Sequence, residues 1–346
     1  MAGILGWDIG GANIKAAWLP YTSGEAGAVR TASHPFEIWR GPDRLQAVLQ
    51  VIAAELAPEA PQAMALTMTA ELADVFATKR EGVLFVMQSV RAAFPNCPCY
   101  ALSLSGEFVP IEDAQLTPLD FAASNWMATA CNLSRQFSHC LMIDMGSTTT
   151  DIIPILAGKV SSRGKTDLER LAAGELVYTG LLRTHLASIV HAVPVEGQFC
   201  PVSSEYFAIS GDVHLILGHI QPSEYDCPTP DGRLPSPEAA RARLARLVCA
   251  DTEMLSQETI DRMADYIYQQ QLAQIGRAIS QILSRLPSSR DIPVVALGAG
   301  AFIAAEVARR ANLPVTNLAE TWGRQEAQVA PSLAVARLLA EQRIQG

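Results

Sequence analysis

The sequence contains no apolar run long enough to cross a bilayer. The longest, residues 292–305, has 14 residues and is broken by Pro293, Gly298 and Gly300, against roughly 18 needed for a span. A membrane is therefore not an expected partner. Charge is also sparse, at 18% of residues with a net −9, and no basic cluster is long enough to track a nucleic-acid backbone. Nucleic acid is likewise not expected. Cysteine is present seven times, an odd number without framework spacing, which fits a reducing compartment. The N-terminus has no basic region and meets Asp8 at once, so no signal peptide is expected and a cytoplasmic location is.

Several catalytic signatures are missing too. There is no Gly-x-Ser-x-Gly, which removes the commonest serine-hydrolase arrangement. Gly164-Lys165-Thr166 would end a P-loop only if residue 159 were glycine, and it is Lys159. His185 and His191 are six apart and His214 and His219 five, neither matching the helical pairing of zincins. These histidines read as structural. Cys97-Pro98-Cys99 has no second pair at zinc-finger spacing.

What is there suggests a globular α/β protein. The chain has 346 residues, 49% of them hydrophobic, enough for two domains with real cores. An apolar strand over residues 3–9 ends in Asp8-Ile9-Gly10-Gly11-Ala12-Asn13, and apolar residues resume from Ile14. That pattern predicts a hairpin with a glycine-rich turn. Downstream, Asp144-Met145-Gly146-Ser147-Thr148-Thr149 repeats the design, with Asp8 to Asp144 and Gly10 to Gly146 both 136 positions apart. A duplicated domain is the inference.

Between the hairpins the spacing predicts helices near 43–56, 83–94 and 119–133, and a strand over 63–69. A long helix is expected over 256–286, then a strand over 292–297, a Gly298-Ala299-Gly300 turn and a helix opening near Phe302. Residues 332–342 also have helical spacing. The expected domains are 1–138 and 139–346, the second carrying a loop-rich insert at about 159–251.

A strand ending in aspartate and followed by glycines places backbone N–H groups and one carboxylate at the same edge, where a phosphate can approach. Two such hairpins facing a cleft would grip a polyphosphate, with Asp8 and Asp144 as Mg²⁺ ligands. Gly10, Gly11, Asn13, Gly146, Ser147, Thr148 and Thr149 would surround the phosphates, and Lys15 would supply a charge. A lone hairpin of this kind is usually just a β-turn. The repeat and the later Gly298 and Gly300 favour phosphate binding; the third glycine of a dinucleotide fingerprint falls on Ile303, which weakens that alternative. The strand 65–70 runs into Glu71 and Asp74, which makes Glu71 the first and Asp74 the second candidate general base. A glutamate at a helix start is as often simply favoured by the helix dipole. Lys79 and Arg183 are candidate anion partners, and Trp126 and Trp39 candidate ring-stacking residues.

The three glycine motifs resemble those of the acetate and sugar kinase, heat-shock chaperone and actin superfamily, which implies a duplicated ribonuclease-H-like, actin-like ATPase fold with a central cleft. Longer strings are more specific: Asp-Ile-Gly-Gly-Ala-Asn-Ile-Lys at 8–15, Met-Thr-Ala-Glu-Leu-Ala-Asp-Val-Phe at 68–76, and Arg-Leu-Ala-Ala-Gly-Glu-Leu-Val-Tyr at 170–178. They resemble the hydantoinase/oxoprolinase-related proteins of tetrahydromethanopterin-linked one-carbon metabolism, and among these the condensing enzymes of methanofuran biosynthesis. The resemblance implies a transferase joining an aminomethyl-furan-methyl diphosphate to the phenol of γ-glutamyltyramine or a related acceptor, with loss of diphosphate; the paired hairpins make Mg²⁺ the expected cofactor. Two alternatives stay open. One is an ATP-dependent small-molecule kinase or hydantoinase-type hydrolase, with Gly298 and Gly300 beside the nucleotide; the other is a non-catalytic nucleotide-dependent sensor or scaffold.

Overall fold

A computed structural model describes residues 3–20, 28–286 and 292–345. Fourteen strands are found among them: β1 Gly3–Ile9, β2 Asn13–Pro20, β3 Arg30–Pro35, β4 Ala63–Met68, β5 Cys99–Leu102, β6 Phe108–Pro110, β7 His139–Met145, β8 Thr150–Leu156, β9 Lys159–Val160, β10 Leu176–Val177, β11 Ala192–Val195, β12 Gln198–Pro201, β13 Val294–Leu297 and β14 Val315–Asn317. The first sheet has the order β3-β2-β1-β4-β5-β6, and the second β10-β8-β7-β13-β14 with β9 also on β8; β11 and β12 form a separate ribbon.

The two sheets are built alike. β1 pairs antiparallel with β2 and parallel with β4; in the second sheet β7 and β8 take the places of β1 and β2, and β13 and β14 those of β4 and β5. The duplication extends to single hydrogen bonds. Gly10 N donates to Asn13 O and Gly146 N to Thr149 O, both at 2.9 Å, while Thr69 N donates to Ile9 O at 3.0 Å and Gly300 N to Met145 O at 2.8 Å. Both acceptors recur at the 136-residue offset. This is the duplicated ribonuclease-H-like fold of the actin-like ATPases.

The core of the first sheet is covered by the helices Leu45–Leu56 and Lys79–Ala93, whose apolar stripes bury Leu49, Ile52, Val83, Val86 and Val90 against Trp7, Leu66 and Met68. The other face is taken by the C-terminal helix Ala330–Gln345. That helix is apolar around its circumference, with Leu333, Ala334, Val335, Ala336, Leu338, Leu339 and Ala340 all buried, so it needs cover on more than one side. Gly6 of β1 makes the approach possible, since a Cβ there would lie 2.0 Å from Ser332 O.

This helix corrects the expected division at 138/139. One compact unit holds the chain up to Met142, Ile153–Arg170 and everything from Leu318; the other holds Ile143–Ile152 and Leu171–Asn317. The C-terminal segment belongs with the first sheet because that sheet's second face would otherwise stay open. The expected insert at 159–251 is corrected as well, because β9 and β10 lie inside that range and both pair with β8. Only the stretch beyond Val177 leaves the second sheet. It packs Leu186, Val193, Val213 and Leu244 on Ile260, Met263 and Ile267 of the long helix Gln257–Leu283.

The expected helix over 119–133 is split into a short turn Pro118–Phe121 and the helix Asn125–Ser134, with Ala123 between them at φ 51°. No helix among the described residues is long and apolar enough to cross a membrane.

Candidate functional site

In the first unit, strand register lines polar side chains into one row. Lys15 of β2 stands opposite Asp8 of β1, and Asp8 stands beside Thr67 of β4; partners in register share a face. Thr67 Oγ1 lies 2.8 Å from Ser124 Oγ. At the end of that row is the turn Gly10–Asn13. Phe36 N and Ile38 N take the carbonyls of Ala12 and Gly11, whereas the N–H groups of Gly11 and Ala12 donate to no protein acceptor among the described residues. Nothing lies within 4 Å of where a Gly11 side chain would begin. Backbone donors left open on a glycine turn are suited to an anion.

Glu71 follows β4 directly, on a single turn Ala70–Leu72. It is 1% exposed. Lys79 Nζ lies 3.7 Å from Glu71 Oε1 and 2.5 Å from Asp167 Oδ2, and the Ala123 backbone amide lies near enough to lower the proton affinity of the Glu71 carboxylate. Glu71 Oε2 has no hydrogen-bond partner among the described residues. Burial pushes the Glu71 carboxyl up from its ordinary value to about 7, with Lys79 pulling the other way.

Local sequence sets the positions of Lys79 and Asp167 in the same way. Each is the first helical residue after a threonine cap: Thr78 Oγ1 accepts from Glu81 N, and Thr166 Oγ1 from Glu169 N. Glu81 and Glu169 reach back to the preceding amides, so both helices open with a Thr-x-x-Glu capping pattern. Arg170, one turn beyond Asp167, lies 3.5 Å from it and stacks over Trp126 at 4.4 Å. Trp126 is thus a buried packing partner of Arg170, while Trp39 is partly exposed. Asp74 is exposed on the loop after Glu71.

In the second unit the equivalent turn, Gly146–Thr149, is clamped by the segment 180–183. Leu181 N donates to Gly146 O, and Leu182 N and Arg183 N to Ser147 O, at 2.8–3.0 Å. Gly180 allows this, since a Cβ there would lie 2.4 Å from Thr148 N. The N–H groups of Ser147 and Thr148 have no protein acceptor among the described residues. Gly298, at φ +84°, packs on the strand end, where a Cβ would stand 2.4 Å from Asp144 Oδ1; a Cβ on Gly300 would meet Met145 Cγ at 2.6 Å. The structure therefore assembles Asp144, the 146–149 turn, Gly298 and Gly300 within the second unit. Within the first it assembles Asp8, Gly10, Gly11, Asn13 and Lys15, while Glu71 follows β4 beside Lys79.

Some residues of these sites belong to no local sequence motif. Gly82 and Gly180 matter through close approach, and Thr67, Ser124 and Asp167 through tertiary pairing. The Thr-x-x-Glu pattern before Lys79 and Asp167 was the one local clue to those two.

Comparison with known proteins agrees with this architecture. The family model described as hydantoinase/oxoprolinase matches residues 62–342. The chain belongs to the hydantoinase/oxoprolinase family. It is 38% identical over 342 residues, 98% of each chain, to the (4-{4-[2-(gamma-L-glutamylamino)ethyl]phenoxymethyl}furan-2-yl)methanamine synthase of Methanocaldococcus jannaschii. A synthase of the same name from Methanococcus vannielii is 34% identical over 203 residues, 58% of this chain and 90% of that one. Both relatives are named as synthases, and this member of the hydantoinase/oxoprolinase family is an enzyme. Among solved structures, nucleotide-free acetone carboxylase matches with a TM-score of 0.57 at 8% identity, covering 96% of this chain and 70% of that one, a likeness of fold.

Proposed function

We propose that the protein condenses an aminomethyl-furan-methyl diphosphate with the phenol of γ-glutamyltyramine, or a related tyramine acceptor, in methanofuran-type cofactor biosynthesis. The observation that carries the reading is the full-length similarity to a synthase whose name contains a phenoxymethyl-furan ether. In the step, the phenol oxygen bonds to the furan methylene carbon as the bond from that carbon to the diphosphate oxygen breaks. The bonding pair leaves with diphosphate, and the phenolic proton goes to Glu71. A carboxyl raised to about 7 by burial is matched to accepting a proton near neutral pH.

In the first unit the open amides of Gly11 and Ala12 and the charge of Lys15, and in the second unit the open amides of Ser147 and Thr148, each suit the growing negative charge of a diphosphate. Magnesium takes one or two carboxylates and completes its shell with water and phosphate oxygens. Asp8 and Asp144, single carboxylates at strand ends beside anion-accepting turns, fit that donor pattern; among the described residues no group of three or more His, Cys, Asp or Glu forms a metal cage. When bound, the ion would neutralise charge on the departing diphosphate. Seven free cysteines support a cytoplasmic setting.

The test is diphosphate release from the furan diphosphate with γ-glutamyltyramine present and absent, with mass spectrometry of the ether. Acceptor-dependent release is expected. Turnover that requires ATP, or ATP hydrolysis without ether formation, would replace this reading with the kinase or hydrolase class.

A further inference from the structure

Beneath the second phosphate turn, a chain of buried polar side chains leads away from Gly180. Gln271, on the long helix Gln257–Leu283, places its Nε2 at 2.9 Å from Gly180 O and 3.0 Å from Thr179 Oγ1. Its Oε1 lies 3.0 Å from His214 Nε2, and His214 Nδ1 lies 3.1 Å from His219 Nδ1. Gln271 and His214 are buried.

The direction of every bond in this chain follows from its one fixed end. Gly180 O is a carbonyl and only accepts. Gln271 must therefore present its NH₂ to it, which turns Oε1 toward His214. That oxygen also only accepts, so His214 Nε2 carries a hydrogen. A fully buried imidazole without a carboxylate partner is neutral, and burial lowers the His214 pKa to about 3. Its Nδ1 then holds a lone pair, and His219 Nδ1 must be the donor. Tyr268 and Phe302 pack against both imidazoles, which fixes the ring planes.

The far end of the chain is the phosphate turn itself. Gly180 has its N–H bonded to Thr184 Oγ1 at 2.8 Å, and Thr150 Oγ1, the first residue of β8, donates to Thr179 O at 2.7 Å. Residues 181–183 hold the carbonyls of Gly146 and Ser147. Whatever fixes Gly180 thus fixes the orientation in which Ser147 and Thr148 present their amides.

We infer that Gln271 and His214 are positioning residues for the second anion-binding turn. The donated chain His219 to His214 to Gln271 to Gly180 holds that turn in its diphosphate-accepting form. The inference rests on the proposed role of the turn in holding diphosphate, and it adds two residues that touch no ligand.

The experiment is calorimetric titration of the full chain with inorganic diphosphate and Mg²⁺, on wild type, Gln271→Leu, His214→Phe and His214→Gln. The amide of His214→Gln can restore the Nε2 donor. Diphosphate binding is expected to weaken about tenfold or more in Gln271→Leu and His214→Phe, and to return to within about threefold of wild type in His214→Gln. Folded Gln271→Leu and His214→Phe proteins that bind diphosphate like wild type would overturn the inference while leaving the functional reading intact. A wild type that binds no diphosphate would overturn the functional reading, and this inference with it. Should the variants fail to fold, ¹⁵N spectra of the wild type decide. Hydrogen on His214 Nε2 and His219 Nδ1 supports the chain, and hydrogen on His214 Nδ1 refutes it.

Discussion

Gly82 lies directly against the backbone of Glu71: a Cβ at position 82 would stand 2.5 Å from Glu71 O and 2.6 Å from Glu71 Cα. Both atoms are backbone, so no side-chain rotation relieves the contact. The first helical turn after Lys79 and the turn that carries Glu71 are therefore held at a distance that glycine alone permits. Gly82→Ala is expected to cost about 2 kcal/mol of stability and to displace the carboxyl enough to lower kcat roughly tenfold or more. Urea unfolding and steady-state kinetics on the same sample check both; a variant with unchanged stability and turnover would show that the Gly82 contact relaxes without moving Glu71.

Glu71→Gln tests the buried carboxyl. Its folded pKa of about 7 lies above the unfolded value of 4.5. The carboxyl's contribution to stability is therefore fully present below about pH 4.5 and is lost as pH rises through 7. The glutamine variant is expected to match wild type near pH 4 and to be more stable by about 2–3 kcal/mol at pH 8. Turnover at pH 8 is expected to fall by about 100-fold or more. Parallel stability curves from pH 4 to 8 would show that the carboxyl does not titrate in this range.

The charges on either side of Glu71 have opposite effects on it. Lys79 lowers its proton affinity and Asp167 raises it. The acid limb of kcat/KM is expected to move to higher pH in Lys79→Met and to lower pH in Asp167→Asn. Shifts of the same sign in both would point to a general disturbance of the site.

Asp8→Asn and Asp144→Asn test the proposed Mg²⁺ ligands. Each is expected to reduce Mg²⁺-dependent diphosphate release by about 100-fold while shifting the melting temperature by only a few degrees, because neither changes the packing volume. Full activity in both variants would remove these aspartates from the site.

Much of the architecture could be read locally. β1 was legible to the residue, the long helix was expected over 256–286 and is found at Gln257–Leu283, and the two turns declared themselves by an exact repeat of spacing. Glycine turns and apolar periodicity are short-range properties, so neighbouring residues suffice to reveal them. The break at Ala122–Ser124 was not legible, because alanine at φ 51° has no local reason to be there.

The amino-acid order by itself determined the doubled hairpin, the aspartates at the strand ends and the candidate carboxylate, since each follows from residue type and spacing along a few positions. Tertiary structure decided which groups meet. It brought Asp167 to Lys79 across 88 residues and Gln271 to Gly180 across 91, and returned the C-terminal helix to the first sheet. Those pairings arise from burial, which raises the cost of every unpaired charge and amide until distant partners are selected to satisfy them. No local pattern carries that information.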